Sequence, residues 1–107
     1  MKSKNTLPDW LMLWLWRALL GEIYPNIRAI AASFSEDKEL RVRFYLDRPP
    51  IEFDYESLAD IVGLVLSNAS SNEDIRSVKE ECEYSTITQG ELNALGGLVY
   101  ARREYEI

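Results

Sequence analysis

The stretch ELRVRFYLD, residues 39–47, decides the fold, because apolar and polar side chains alternate along it without interruption. On one side of an extended chain lie Leu40, Val42, Phe44 and Leu46. On the other side lie Arg41, Arg43, Tyr45 and Asp47. This is the period of a strand with one buried face, and a slip of one residue would send both arginines into the core. The stretch therefore predicts a strand in a sheet that is covered on one face.

The neighbouring segments extend this strand into a hairpin and a helix. Upstream, IRAIAASF (27–34) reads as a partner strand and SEDK (35–38) as the turn. Downstream, Ile51–Phe53 reads as a short extended piece, and Asp54 as the N-cap of a helix that ends near Ser67. Apolar residues recur along that helix at the spacing of one buried stripe: Leu58, Ile61, Val62, Val65 and Leu66.

A segment near the N-terminus that is apolar around most of its circumference predicts the other helix. Thr6 is the expected N-cap, Pro8 lies in the first turn, and the helix should end at Gly21 or before Pro25. We expect its tryptophans to anchor the core, with at least one of them left at the surface: Trp10, Trp14 and Trp16. The apolar run is interrupted by Arg17 and is too short to span a bilayer, so it is not expected to be a signal or membrane segment.

The second half supplies two more predicted strands, residues 77–85 and 97–105. A polar loop (67–74) precedes the first, and a loop (86–96) joins the two, with Gly96-Gly97 allowing a sharp bend. The order is helix, strand, strand, helix, strand, strand. It predicts a single α+β domain over residues 1–107, with two helices packed on an antiparallel sheet of about four strands whose order stays open.

Charge distribution favours a basic partner. The chain of 107 residues has 12 Lys and Arg against 18 Asp and Glu, a net charge of −6. Residues 1–53 carry 8 basic and 7 acidic side chains, whereas residues 54–107 carry 4 and 11. Because phosphates repel an acidic surface, nucleic acid is disfavoured as the direct partner.

Residues for catalysis and metal binding are scarce. The chain has no histidine, which removes the commonest general base and transition-metal ligand. Its one cysteine, Cys82, has acidic neighbours that raise a thiol pKa, so we expect a small buried hydrophobe and a cytoplasmic protein without disulfides. No glycine-rich phosphate loop is present, and the carboxylates match no calcium loop. The sequence therefore predicts no cofactor, no metal and no enzymatic activity.

The run from Lys79 to Glu83 allows two interpretations. Glu81 and Glu83 could lie opposite Arg41 and Arg43, or Arg103, as cross-strand ion pairs worth a few tenths of a kcal/mol each. Alternatively, the run forms an acidic patch that docks a cationic protein. Carboxylate pairs in a small acidic domain are far more often solvated surface than catalytic groups.

Three segments carry a family resemblance: LWRALLGEIYPNIRAIA (15–31), YLDRPPIEFDYE (45–56) and VYARREYE (99–106). In their order and length they resemble small immunity proteins of bacterial toxin systems, particularly contact-dependent growth inhibition and colicin-like toxins. The resemblance implies a cytoplasmic inhibitor that binds a toxin domain delivered by neighbouring cells. Many such toxins are nucleases with basic clefts, which an acidic protein would complement.

On this hypothesis the protein binds a basic nuclease toxin, a ribonuclease of tRNase-like class, one to one, through acidic residues and tyrosine anchors. The predicted partner-binding residues are Glu80, Glu81, Glu83, Tyr84, Asp47, Glu52, Asp54, Tyr55 and Tyr45. Two alternatives stay open. One is a small-molecule or carboxylate-dependent enzyme with a pocket between the first helix and the sheet. The other is a subunit of a larger assembly, with an apolar patch on the tryptophan-rich helix and a homo-oligomer in solution.

Overall fold

A computed structural model describes residues 7–67 and 75–104 of the chain. Within these ranges the elements follow the predicted order of two helices and four strands, with one short 3-10 helix before the last strand. They are α1 (Asp9–Ala18), β1 (Ile27–Phe34), β2 (Glu39–Leu46), α2 (Glu52–Ser67), β3 (Ser77–Tyr84), the 3-10 helix (Gln89–Glu91) and β4 (Gly97–Ala101). The α+β class is thereby confirmed. No helix among the described residues is long and apolar enough to cross a membrane.

The sheet is mixed, so the prediction of an antiparallel sheet is wrong in one strand pair. Its strand order is β3-β2-β1-β4. β1 pairs antiparallel with β2, as the predicted hairpin requires, and also with β4. β3, in contrast, runs parallel to β2. The physical reason is α2, which carries the chain from the end of β2 back to its beginning, as crossover helices do in a βαβ unit.

The main core lies between the sheet and the two helices. The alternating apolar residues of β2 are all fully buried there, and they pack on the inward residues of α1 and α2. On α1 these inward residues are Leu11, Leu15 and Ala18, and on α2 they are Leu58, Ile61, Val62 and Val65. The expectation that tryptophans anchor the core is wrong for Trp10 and Trp16, which are exposed, whereas Trp14 is half-buried.

A second, smaller core covers the reverse face of the sheet. Ala29 and Ala31 of β1, Tyr45 of β2 and Leu92 pack together there, and Leu95 and Leu98 lie against them. The small alanine side chains let the segment between β3 and β4 approach the sheet closely. β1 is therefore buried on both faces, which its nearly continuous apolar sequence indicates.

Element ends differ from the predictions at four places. α1 begins at Asp9 with Pro8 as its N-cap and ends at Ala18, and Gly21 turns the chain with a φ of 80°; the predicted cap Thr6 lies outside the described residues. α2 begins at Glu52, so residues 51–53 are not extended. β4 ends at Ala101. The left-handed backbone conformation before β4 is adopted by Leu95, with a φ of 57°, and not by Gly96 or Gly97. Most of the polar loop 67–74 also lies outside the described residues.

Candidate partner-binding site

The parallel pairing of β2 and β3 brings most of the predicted site residues to one end of the sheet. Leu46 lies opposite Tyr84, and the N–H of Ser85 donates to the carbonyl oxygen of Leu46 at 3.2 Å. The loop that follows β2 and the last residues of β3 therefore lie side by side. Antiparallel pairing would have placed them at opposite ends of the sheet.

Asp54 holds the loop between β2 and α2 against the start of the helix. Its side chain is 0% exposed. The carboxylate accepts hydrogen bonds from both Nη atoms of Arg48, at 2.7 and 3.0 Å, and from the hydroxyl of Tyr24 at 2.5 Å. It also accepts the N–H of Ile51 at 2.7 Å, which is the N-terminal contact of a capping box. Asp54 is thus a capping residue, as predicted, but from the third helical position.

Electrostatics keep this carboxylate ionised. Burial by itself would raise the pKa of Asp54, but the hydrogen bonds from Arg48, Tyr24 and Ile51 outweigh burial and hold the pKa below its usual value. The pKa of the Tyr24 hydroxyl is raised, by burial and by its bond to Asp54. Asp54, Arg48, Tyr24 and the N–H of Ile51 therefore form a structural clamp, in which Arg48 of the same chain balances the charge of Asp54.

Six of the nine predicted binding residues are exposed at the surface: Asp47, Glu52, Tyr55, Glu80, Glu83 and Tyr84. Tyr55 and Tyr84 are each 47% exposed, which makes them available as aromatic anchors. Asp47 is turned toward its own chain, because it accepts hydrogen bonds from Asn26 at 3.0 Å and Arg102 at 2.8 Å.

The structure buries two of the nine residues, and each has internal partners. Asp54 belongs to the clamp described above. Tyr45 is 1% exposed, donates its hydroxyl proton to the carbonyl of Asn93 at 2.8 Å and accepts a hydrogen bond from Arg43 at 2.9 Å. The segment after β3 covers Tyr45, and Arg48 and Tyr24 enclose Asp54, so neither side chain is placed to touch a partner in this conformation.

The acidic run on β3 divides into paired and unpaired carboxylates. Glu81 lies opposite Arg43 and forms ion pairs with Arg43 at 2.8 Å and Arg41 at 3.5 Å, which confirms the cross-strand interpretation for this residue. Glu83 lies opposite Tyr45 instead. Within residues 7–67 and 75–104, Glu80 and Glu83 form no ion pair.

α2 adds more acidic surface. Its sequence contains no Lys or Arg, and three of its carboxylates are exposed: Glu52, Glu56 and Asp60. Part of the acidity of the second half of the chain therefore lies on the outer side of α2 and along β3, two elements that contact each other in the fold.

Sequence reasoning missed an ion-pair network at the same end of the sheet. Arg28 is buried and binds Glu104 with two hydrogen bonds, at 2.8 and 2.9 Å, and Arg102 joins Glu104 to Asp47. The amide of Gln89 donates to the carbonyls of Arg28 and Arg102. The signal for this network was a lone arginine inside an otherwise apolar strand, because a buried charge requires a partner.

This network forms one wall of a groove of about 870 Å³, which Tyr24 and Tyr100 also line. Hydrogen bonds from Arg28 lower the pKa of Glu104, and those from Asn26 and Arg102 lower that of Asp47. Carboxylates held ionised in this way do not supply a proton donor near neutral pH. The groove lies at the end of the sheet, not between α1 and the sheet, where the enzyme hypothesis expects its pocket.

The thiol of Cys82 stays protonated at neutral pH. Burial raises the pKa of the Cys82 thiol to about 12, with further contributions from Asp54 and Glu80, so the nucleophilic thiolate is scarce at neutral pH. Among the described residues, no group of three or more His, Cys, Asp or Glu side chains is arranged to hold a metal ion.

The family model described as MafI2 immunity protein matches residues 8–104, which include every helix and strand of the described structure. A search of curated proteins finds none that matches the chain.

Proposed function

The chain belongs to the MafI2 immunity protein family, whose members neutralise a toxin, and from this premise we propose that its toxin is a ribonuclease whose basic substrate cleft it covers. The resemblance to contact-dependent growth inhibition and colicin-like immunity proteins supports a toxin delivered by neighbouring cells. An inhibitor of such a ribonuclease acts in the cytoplasm, where the RNA is. We propose a one-to-one complex in which the inhibitor has no catalytic role.

The observation that carries this proposal is the unpaired acidic surface of α2 and β3. A cleft that binds RNA presents Lys and Arg to the phosphates, so exposed carboxylates without internal partners complement it. Among residues 7–67 and 75–104, Glu52, Glu80 and Glu83 satisfy this condition, whereas Asp47, Asp54 and Glu81 are neutralised by arginines of the same chain. Charge of this kind accelerates association and selects the partner.

Aromatic side chains beside these carboxylates supply the apolar part of the interface. Tyr55 and Tyr84 are exposed near the start of α2 and the end of β3, and Ile51 and Phe53 are exposed in the same region. Aromatic residues surrounded by polar groups are typical of binding hot spots. Truncation of one of these anchors is expected to cost more affinity than loss of a single rim charge.

The test compares two charge reversals of equal size at opposite ends of the sheet. Glu52→Lys with Glu83→Lys changes the proposed surface, and Glu36→Lys with Asp37→Lys changes the β1–β2 turn. The probe is the toxin domain encoded immediately upstream, and the readouts are its affinity and RNA cleavage at several salt concentrations. We expect the first variant to lose affinity by at least about tenfold and to show a weaker salt dependence, as loss of complementary charge predicts.

The control variant should remain within about twofold of the original affinity, since its charges lie far from the interface. Equal losses in both variants would mean that only net charge matters, and the proposed surface would be abandoned. A toxin that binds tightly but does not cleave RNA would remove the ribonuclease part of the proposal and leave the inhibitor intact.

An exposed apolar stripe on α1 favours a second candidate, a self-associating subunit. Leu13 and Trp16 lie one helical turn apart on α1, and Leu20 follows in the turn after the helix; the three side chains are 44%, 52% and 79% exposed. Apolar side chains in such a row are a common feature of interfaces. Light scattering over a range of protein concentrations tests this candidate, and a monomer at every concentration would exclude it.

A further inference from the structure

The outer edge of β3 is open. β3 is the last strand of the sheet on its side, and it pairs with β2 over eight consecutive residues without a bulge. Within the described part of the chain, its other edge contacts no strand. An open edge of this length carries a row of unpaired N–H and C=O groups, which can template an additional strand.

The direction of these groups follows from the hydrogen bonds to β2. The N–H of Ser85 donates to Leu46, and the N–H of Asp47 donates to Asn26 on the opposite side of β2. Successive residues of a strand direct their N–H and C=O groups alternately to the two sides. The groups of Lys79, Glu81 and Glu83 therefore point to β2. Those that point outward belong to Val78, Glu80, Cys82 and Tyr84.

One side of α2 extends over this edge with apolar side chains. Phe53 contacts Tyr24 in the loop between α1 and β1, with ring centroids 5.1 Å apart, so this side of α2 faces that loop. Tyr55 lies about 200° further around the helix, and Leu66 lies three turns along on the same side. Tyr55, Leu66 and Tyr84 are 47%, 41% and 47% exposed, and they leave an apolar surface beside the open edge.

The charges beside the edge select the strand that can join it. Glu80 points to the helix side of the sheet and Glu83 to the reverse side, and neither forms an ion pair in the described residues. A second copy of the chain paired edge to edge would bring Glu80, Glu81 and Glu83 of both strands together with only Lys79 to offset them, and like charges in cross-strand positions destabilise pairing. A strand with Lys or Arg at these positions would instead gain favourable pairs.

We propose that the cognate toxin supplies an extended segment that pairs with β3 as a fifth strand. Its backbone bonds the outward groups of β3, its apolar side chains contact Tyr55, Leu66 and Tyr84, and its Lys or Arg side chains face Glu80 and Glu83. Main-chain bonds give such complexes affinity, and the alternating side chains give specificity. The inference rests on the proposed function, because it requires a toxin with basic surface segments.

Substitution of Glu80 by proline tests the backbone part of the proposal. The N–H of Glu80 points outward, so proline removes one bond to the fifth strand and no bond to β2, as is tolerated at sheet edges. Glu80→Gln is the matched control, which removes the charge and keeps the N–H. With the toxin domain encoded immediately upstream, we expect Glu80→Pro to lose affinity by at least about tenfold more than Glu80→Gln, because a carbonyl of the toxin is left unpaired.

Amide hydrogen exchange of the unmodified protein gives a readout that does not depend on the folding of a variant. On binding of the toxin domain, exchange should slow at the outward amides of Val78, Glu80, Cys82 and Tyr84. The amides of Lys79, Glu81 and Glu83 are already bonded to β2 and should change little. This alternation is specific to strand addition.

The outcomes separate this inference from the proposed function. A complex that forms without alternate protection, or that tolerates Glu80→Pro as well as Glu80→Gln, overturns the fifth strand and leaves the inhibitor proposal standing. Absence of any complex with that toxin domain overturns both. A dimer of the free protein joined through β3 would show the same alternation without toxin and would also overturn the inference.

Discussion

The two edges of the sheet differ in how their backbone groups are satisfied. β4 is five residues long, has an irregular register with β1, and lies beside α1, where the indole Nε1 of Trp16 donates to the carbonyl of Val99 at 3.1 Å. β3 is eight residues long, regular and uncovered in the described structure. One edge is thus closed by the chain itself, and the other is protected from non-specific pairing by its charges alone.

The difference shows that acidic side chains on an edge strand have two uses. They prevent indiscriminate strand pairing, which is the usual reason for charge at an edge, and they admit a strand of opposite charge. Glu81 serves neither use directly, because Arg41 and Arg43 neutralise it. Glu80 and Glu83 remain available for both.

The largest effect on stability is expected at Asp54, which fixes the start of α2 to the preceding loop. Asp54→Asn leaves the guanidinium of Arg48 without its carboxylate and weakens the contact with the N–H of Ile51. We expect the free energy of unfolding to fall by about 2 kcal/mol, a discounted value for a broken ion pair because Arg48 is partly solvated. Urea denaturation measures the loss, and Asp60→Asn on the exposed side of the same helix should change stability by less than about 0.5 kcal/mol.

The pH dependence of stability identifies the ionised form of Asp54 as the cause. Its pKa is lower in the folded than in the unfolded protein, so protons bind preferentially to the unfolded chain as the pH falls. The stabilisation is complete above about pH 4, the ordinary Asp range, and is lost as the pH falls through the folded pKa. The difference between the original protein and Asp54→Asn should therefore shrink in acid. A constant difference from pH 7 to pH 2.5 would assign the effect to packing.

A smaller effect is expected at the closed edge. Trp16→Phe keeps an aromatic ring and removes the bond to Val99, which should lower stability by about 1 kcal/mol and accelerate amide exchange along β4. Trp10→Phe is the control, because Trp10 contacts Trp14 and Phe34 through its ring. Unchanged exchange in β4 after Trp16→Phe would show that α1 closes this edge without the indole bond.

The smallest effect is expected in the turn between β1 and β2, which contacts the beginning of β3. Lys38 has a φ of 63°, and its carbonyl accepts the N–H groups of Arg76 and Ser77 at 2.8 and 3.4 Å. Lys38→Gly relieves the left-handed conformation but gives the unfolded chain more freedom, so we expect a net gain of about 0.5 kcal/mol, seen as a higher Tm. Glu36→Gly, where φ is not positive, should lower the Tm instead.

Local patterns predicted the elements well. The alternation from Glu39 to Leu46 and the stripe on α2 depend on each residue's own surroundings, and both appear in the structure, except that Leu66 of the predicted stripe is exposed. The parallel direction of β3 could not be read in this way, because strand pairing depends on where α2 delivers the chain. That direction also decides which of the predicted site residues lie together.

Burial of individual site residues was equally hard to predict. Tyr45 alternates with apolar residues and reads as exposed, yet the segment after β3 covers it, since Ala29 and Ala31 leave room on that face. Asp54 reads as a surface cap, but Arg48 and Tyr24 enclose it. Tertiary contacts between distant segments determine both outcomes. The exposure of Tyr55 follows from its place outside the apolar stripe of α2, whereas the alternation along β3 places Tyr84 with Val78 and Cys82 on the inner face, although it is 47% exposed.

The order in which the strands pair has a consequence for synthesis. β2 lies in the middle of the finished sheet, but its neighbour β3 follows it in the chain only after the whole of α2. At ribosomal speeds the residues from Leu46 to Tyr84 take about 2 to 8 s to emerge. During that interval the β1–β2 hairpin has an apolar, regular edge of its own, so the nascent protein is most prone to aggregation before the acidic strand arrives to cover it.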